Sequence, residues 1–282
     1  MNGWREPPDL RGFLRASALC CCLNGVGGAL AAQEPQPLED NSFLIEEAYN
    51  QSPGVVQEIS NFIRSSGGGD WVYIFTQEWP LGGMRHQLSY TIPLEHHADF
   101  QTTGLGDALF NYRFQALGMN GGPVYAAPRL SLVLPTGNAQ RGRGSGAVGL
   151  QASLPVTVEV NRKLSAHWNL GATLLPSAES ATGAQATTTT VNAGASVIWL
   201  VRPLFNLMLE GVWLSEEDVV GSGVTDRHAS AFLNPGFRWG FNLRGGLQIV
   251  TGLGYVVSLN EANPDALFLY LSFEHPFRRI AQ

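Results

Sequence analysis

The sequence has little charge and almost no lysine. Charged residues make up 14% of its 282 residues, against about 25% in ordinary soluble domains. Lys163 is the only lysine, and the net charge is −6 at pH 7. This composition excludes the basic surface that nucleic-acid binding requires, so nucleic acid is not expected as a partner. Low charge instead suits a protein that exposes much of its surface to lipid.

Cysteine is absent beyond the first part of the chain, where three cysteines occupy positions 20–22. Arginines precede an apolar run there, and the run ends in the small-residue tripeptide ALA at 29–31, which is the pattern of a secretory signal. We predict a cleaved signal peptide at 1–31. A lipoprotein signal is the alternative, but the residues before each cysteine do not form the usual small-residue motif. A chain that begins after residue 31 has no disulfide or thiol chemistry.

Long apolar runs are also missing. Beyond the signal, no stretch reaches the roughly 18 residues of a membrane-spanning helix. The longest candidate, at 191–201, is interrupted by Asn192, Gly194 and Ser196. An exported chain without such a helix is soluble in the periplasm, secreted, or an outer-membrane barrel.

Apolar and polar residues alternate in many stretches with the period of two that β-strands have. In LSAHWNLGATL at 164–174, Leu164, Trp168 and Leu170 share one face, and His167 and Asn169 share the other. A sandwich strand has this pattern, and so does a barrel strand with lipid outside and a polar lumen inside. Twelve segments are predicted as strands: 54–64, 71–79, 85–93, 105–117, 123–135, 147–160, 164–175, 189–202, 205–215, 229–241, 246–258 and 266–277.

The gaps between these segments favour the barrel. Every second gap is long and rich in Gly, Ser, Thr and Asp, and these long gaps are 65–70, 94–104, 136–146, 176–188, 216–228 and 259–265. Transmembrane barrels alternate short periplasmic turns with longer outer loops and have an even number of strands. We therefore predict an all-β fold, a single twelve-stranded antiparallel transmembrane β-barrel over residues 54–277, in the bacterial outer membrane.

The last predicted strand, ALFLYLSFEHPF, is apolar at every second residue and ends in Phe277. It resembles the C-terminal recognition signal of outer-membrane barrels, which implies the barrel assembly machinery as a partner. Two features depart from that signal. His275 stands where an aromatic residue is more usual, and a tail at 278–282 follows the phenylalanine.

Three stretches carry a family resemblance: FLIEEAYNQSPGVVQEI, GLGDALFNYRFQAL and RLSLVLPTGN. They resemble a family of outer-membrane proteins named for the meta-pathway of phenol degradation, whose members are labelled transporters. The resemblance extends over most of the chain after the signal. It implies uptake of aromatic or other apolar compounds.

Residues 42–63 allow two interpretations. Val55, Ile59 and Phe62 follow helical spacing, so a short amphipathic helix that plugs the barrel is one possibility. The other is a first strand preceded by a periplasmic lead-in at 32–53. We favour the strand, because twelve strands close into a barrel of even number and eleven do not.

Charged residues of both signs are expected on the inward face. They could form an ion-pair network that fills a narrow barrel, a polar constriction that selects solutes, or both. Four aromatic residues also point inward in this register: Tyr125, Phe232, Phe268 and Tyr270. The predicted lumen-lining residues are Arg85, Asp107, Arg113, Arg129, Glu159, His167, Arg202, Glu210, Arg238 and Glu274.

No pattern in the sequence indicates an enzyme, a metal site or a cofactor. His167 is the only histidine predicted inside the barrel, with Ser165 beside it and Ser153 on the preceding strand. A catalytic hydroxyl also needs a base within reach and usually an orienting group. His96 and His97 are adjacent on a strand-like stretch and therefore point apart.

The expected function is an outer-membrane channel for the passive passage of small solutes, including apolar or aromatic ones. Its expected partners are outer-membrane lipid and those solutes. The alternative is a closed structural or interaction barrel whose loops carry its role. A closed barrel would have Arg113, Arg129 and Arg238 paired with acidic residues across the lumen.

Overall fold

The computed structural model of the protein describes Leu38, residues 42–260 and residues 263–277. The predicted signal peptide and the C-terminal tail at 278–282 lie outside these residues. No helix in the described part of the chain is both long and apolar enough to span a membrane.

Twelve antiparallel strands in the described part of the chain form one closed barrel, as predicted. Each strand pairs with its neighbours in sequence, and β1 also pairs with β12, from Val55 opposite Pro276 to Ser65 opposite Ala266. The strands are β1 (Val55–Ser65), β2 (Trp71–Pro80), β3 (His86–His97), β4 (Thr102–Leu105 and Ala108–Phe114), β5 (Val124–Ala126 and Arg129–Leu134), β6 (Gly149–Asn161), β7 (Leu164–Glu179), β8 (Gln185–Arg202), β9 (Phe205–Gly221), β10 (Val224–Asn242), β11 (Gln248–Ser258) and β12 (Ala266–Pro276).

Two neighbouring strands are interrupted, each for a local reason. The break in β5 contains Pro128, which has no N–H to donate to the sheet. The break in β4 contains Asp107, whose carboxylate accepts hydrogen bonds from the backbone N–H groups of Gly137 (3.1 Å) and Ser145 (2.6 Å). Asp107 therefore ties the loop at 135–148 to the barrel wall.

The alternating pattern of the sequence matches the two faces of the wall. In β7, Trp168 and Leu170 are 46% and 58% exposed on the outside. Between and beside them, His167 and Asn169 point inward and are buried. A wall with apolar side chains outside and polar ones inside suits lipid around the barrel and a polar interior.

The long loops predicted at 176–188 and 216–228 are mostly strand, so that part of the prediction is wrong. β7 and β8 continue to a turn at 180–184, and β9 and β10 continue to a two-residue turn at 222–223. Four consecutive threonines at 187–190 and the pair Val219 and Val220 favour extended structure, because β-branched side chains suit strands. The strands therefore run well past the 9–11 residues that cross an apolar layer.

Replacing an outward residue by arginine should destabilise the barrel more than the same change on the inward face. Leu170→Arg places a charge in the apolar layer, at an expected cost of about 2–4 kcal/mol in unfolding free energy. Thr173→Arg, three residues along the same strand, points inward and should cost less than about 1 kcal/mol. Denaturant titration in lipid vesicles measures both values, and equal costs would contradict the assigned faces.

Candidate functional site

An irregular stretch of the chain lies inside the barrel. We call residues 42–51 the lumen segment. It precedes β1 and contacts inward side chains of strands β3 to β12. This region was expected to be a periplasmic lead-in, and the structure instead places it in the lumen. The structure thus contains the expected strand at 55–65 and also a plug, although the plug is not a helix.

Side chains of the wall accept hydrogen bonds from the backbone of this segment. The segment pairs with none of the described strands, and a buried N–H without a partner costs about 1–3 kcal/mol. The wall supplies the missing acceptors. The contacts are Leu44 N and Ile45 N to Glu210 (2.9 and 3.1 Å), Glu46 N to Asn169 (2.7 Å), Ala48 N to Thr157 (2.8 Å), Asn50 N to Gln115 (2.9 Å) and Gln51 N to Gln87 (2.7 Å).

The wall also donates hydrogen bonds to the segment. The side-chain amides of Asn169 and Gln115 each make two contacts with the segment. Each accepts from one backbone N–H and donates to one backbone carbonyl, and the donated hydrogen bonds measure 2.9 Å for Asn169 and 2.7 Å for Gln115. The Arg113 guanidinium donates to the Asn50 side chain (2.8 Å) and to the carbonyl of Tyr49. Such paired contacts fix both the position and the direction of the segment.

Two ion pairs join the segment to the wall. Glu46 contacts Arg129, and Glu47 contacts Arg238 at 3.2 Å, with side chains only 5% and 1% exposed. A buried charge needs a partner, and removing one member of such a pair costs about 3–5 kcal/mol. The lumen segment therefore neutralises arginines that the wall alone would leave exposed to the interior.

Apolar contacts complete the docking. Phe43 stacks on Phe268, with ring centroids 4.9 Å apart. Ile45 is buried and lies against Gly194, where a Cβ atom would come within 2.3 Å of its side chain. The rings of Tyr49 and Tyr125 meet edge to face at 4.8 Å.

The lumen segment borders two internal cavities. One, of about 400 Å³, extends to the turn between β6 and β7 and is lined by Glu47, Tyr49 and His167. The other, of about 210 Å³, is lined by Glu46 together with Asn61 and residues in the middle of β1 to β4. The lumen segment therefore forms part of the lining of both cavities.

Six of the ten predicted lumen-lining residues lie inside the barrel around the lumen segment: Arg113, Arg129, Glu159, His167, Glu210 and Arg238. Glu274 is half-buried near the end of β12, opposite Gln57. Asp107 holds the loop at 135–148. Arg85 and Arg202 are exposed. Arg85 precedes β3, and Arg202 is the last residue of β8, after a shift in the strand register between Leu200 and Arg202.

The counter-ions of two lumen arginines differ from those expected. Acidic residues of the wall were expected as partners of all three arginines. Arg113 does lie 3.9 Å from one, Glu78 of β2, whereas Glu46 and Glu47 of the lumen segment pair with Arg129 and Arg238. The adjacent pair of glutamates was the signal available in the sequence. It was missed because the segment was assigned to the outside of the barrel.

The His167 side chain is buried in the interior of the barrel. Its Nδ1 atom lies 2.8 Å from the hydroxyl of Thr157, which is fully buried and also accepts from Ala48 N. Among the described hydrogen bonds, none joins Ser165 or Ser153 to the imidazole. The described residues contain no group of three or more potential metal ligands.

Comparison with known proteins places the chain in a family. A family model described as "Putative MetA-pathway of phenol degradation" matches residues 51–264. The chain belongs to this family. Among curated proteins, no sequence matches it.

Solved structures with the same fold are outer-membrane proteins. The COG4313 outer membrane channel from Pseudomonas putida F1 aligns with a TM-score of 0.60 at 14% identity, over 81% of this chain and 97% of that one. The NanC porin aligns with a TM-score of 0.51 at 6% identity, over 77% of this chain and 98% of that one. At these identities the likeness establishes the barrel fold.

Neutralising Glu47 should loosen the lumen segment without unfolding the barrel. Glu47→Gln removes the negative charge that lies 3.2 Å from the buried Arg238 guanidinium, and breaking a buried ion pair costs about 3–5 kcal/mol. We expect the amides of residues 44–51 to exchange with solvent at least about ten-fold faster, because local opening controls their exchange. Glu216→Gln, an exposed acid on the β9–β10 hairpin, is the control and should leave exchange unchanged. Slow exchange in Glu47→Gln would contradict an anchoring role for this ion pair.

Proposed function

We propose that the protein is an outer-membrane channel for the passive passage of small solutes, including apolar or aromatic ones, and that the lumen segment is its plug. The observation that carries the proposal is the way the lumen is filled. Buried apolar residues of the wall form one cluster that includes Phe43 of the lumen segment. Polar side chains of the wall also bind the lumen segment, which precedes β1 and pairs with none of the described strands.

Release of the plug would change the lumen in a defined way. Arg129 and Arg238 would lose their partners Glu46 and Glu47, and the amides that bind the plug backbone would face water. The passage would then be lined by polar groups and positive charge, with Phe268 and Tyr270 as aromatic surface. Such a lining admits water together with small aromatic solutes.

The family and the neighbours support this proposal. The family description names phenol degradation, and the Pseudomonas putida F1 structure is described as an outer membrane channel. An outer-membrane location, export by a cleaved signal at 1–31, and assembly through the strand that ends at Phe277 belong to the same proposal. So do outer-membrane lipid and small solutes as partners. We also propose that the protein has no enzymatic activity, because the His167 environment is one of packing.

The second candidate is a permanently closed barrel. The observation that favours it is the extent to which the plug is bound, since six of its backbone N–H groups have partners in the wall. In such a protein the long β7–β8 and β9–β10 hairpins would carry the role. The two candidates differ in whether the plug leaves.

Conductance across a planar bilayer separates the two candidates. For a channel, we expect wild type to show brief, infrequent openings and a variant lacking residues 42–51 to show steady current. The Glu46→Gln/Glu47→Gln variant keeps the segment but removes both ion pairs, and it should lie between them. A wild type that never opens, beside an open deletion variant, would favour the closed barrel. A deletion variant without current would contradict a plug.

Solute uptake tests the substrate class. Cells of a Gram-negative host that make the protein should accumulate radiolabelled toluene or phenol faster than cells with an empty vector. Cells that make the Leu170→Arg variant, which should insert poorly, are a further control. Equal uptake in all three strains would overturn the proposed solutes while leaving the plug intact.

A further inference from the structure

Resting on the channel function proposed above, we propose that the recess occupied by Phe43 is the channel's binding subsite for a neutral single-ring aromatic solute. In the closed state the ring of Phe43 holds the place that the solute takes. The plug and the solute therefore compete for the same recess.

The recess is built around an aromatic ring. The Phe43 ring stacks on Phe268 with centroids 4.9 Å apart and planes at 19°, and it lies 5.4 Å from the ring of Tyr270. All three side chains are buried. Offset stacking at these distances is the arrangement that aromatic pairs prefer. The walls of the recess therefore suit one further flat ring.

Glycines make room for that ring. A Cβ atom on Gly236 of β10 would come within 2.7 Å of the Phe43 ring, and one on Gly252 of β11 within 2.6 Å. Neither glycine has a backbone φ in the left-handed region, so the strand conformation does not require glycine at these positions. The space does. The adjacent strands β10 and β11 therefore have no inward side chain at the two positions next to the ring.

The recess differs in chemistry from the rest of the docking site. The backbone and the glutamates of the plug are held by amides, a hydroxyl, a carboxylate and guanidinium groups of the wall. Phe43 instead meets two aromatic rings and glycine backbone. An apolar slot of ring size recognises a neutral aromatic compound such as toluene.

Competition links solute binding to plug release. A solute that binds only when Phe43 has left shifts the equilibrium towards the released plug by the factor 1 + [solute]/Kd. The solute would then promote the opening of its own passage. No contact between the solute and the charged residues of the lumen is needed for this effect.

The test uses purified wild-type protein, toluene as the probe and amide hydrogen exchange of residues 44–51 as the readout. We expect toluene to speed this exchange in wild type, with saturable dependence on its concentration as the recess fills. In Phe43→Ala the recess is vacant, so toluene should bind directly, as detected by saturation-transfer NMR, and at lower concentration than it acts on wild type.

The matched control is Phe43→Ala/Gly252→Val. It also lacks the Phe43 ring, but the valine side chain fills the recess. We expect it to bind toluene at least about ten-fold more weakly than Phe43→Ala. Equal binding by the two variants would overturn the proposal, and so would wild-type exchange that toluene does not change. Because these readouts need no current or uptake, they can fail while the channel function stands. Binding without uptake would instead overturn the transport of toluene while leaving the recess as its binding site.

Discussion

A backbone buried without a sheet partner must find its hydrogen bonds elsewhere, and this requirement organises the interior of the barrel. The lumen segment has no ladder to join, so its N–H groups need acceptors from side chains. Glu210, Asn169, Thr157, Gln115 and Gln87 supply them from widely separated strands. These residues are also polar residues facing inward, as barrel strands require. The same side chains therefore form the polar inner face of the wall and bind the plug.

The charges of the lumen follow from the same arrangement. Arg113, Arg129 and Arg238 would repel one another in a narrow interior of low dielectric. The plug supplies two carboxylates and several carbonyl oxygens to them. The wall carboxylate of Glu210 is itself occupied, since it accepts from two plug N–H groups and from Asn234 at 2.7 Å. Acidic residues of the plug thus pair with arginines of the wall, and these ion pairs fix the position and the direction in which the plug docks.

The sequence predicts the wall well and the contents of the lumen poorly. Strands such as β7 are recognisable because lipid and lumen impose opposite requirements on alternate residues over eleven positions or more. The lumen segment has no such period, because it contacts single side chains of many strands in turn. The acceptors of its backbone N–H groups lie between 36 and 166 residues away in the chain. Strand ends are also poorly predicted. Arg85 continues the alternation in sequence but precedes β3, and Arg202 is the last residue of β8, after a register shift that breaks the alternation.

Apolar burial decides whether the plug stays docked. A hydrogen bond that replaces one to water contributes only about 0.5–1.5 kcal/mol, and ordering each residue of the segment costs about 1–2 kcal/mol. The polar contacts of the plug therefore give direction and position but do not hold it by themselves. Burying a phenylalanine or isoleucine side chain contributes about 1.5–3 kcal/mol, so Phe43 and Ile45 supply the remaining stability. Phe43 is the one of these side chains whose ring contacts two aromatic residues of the wall, Phe268 and Tyr270, so it is the contact at which a flat aromatic solute can compete with the plug.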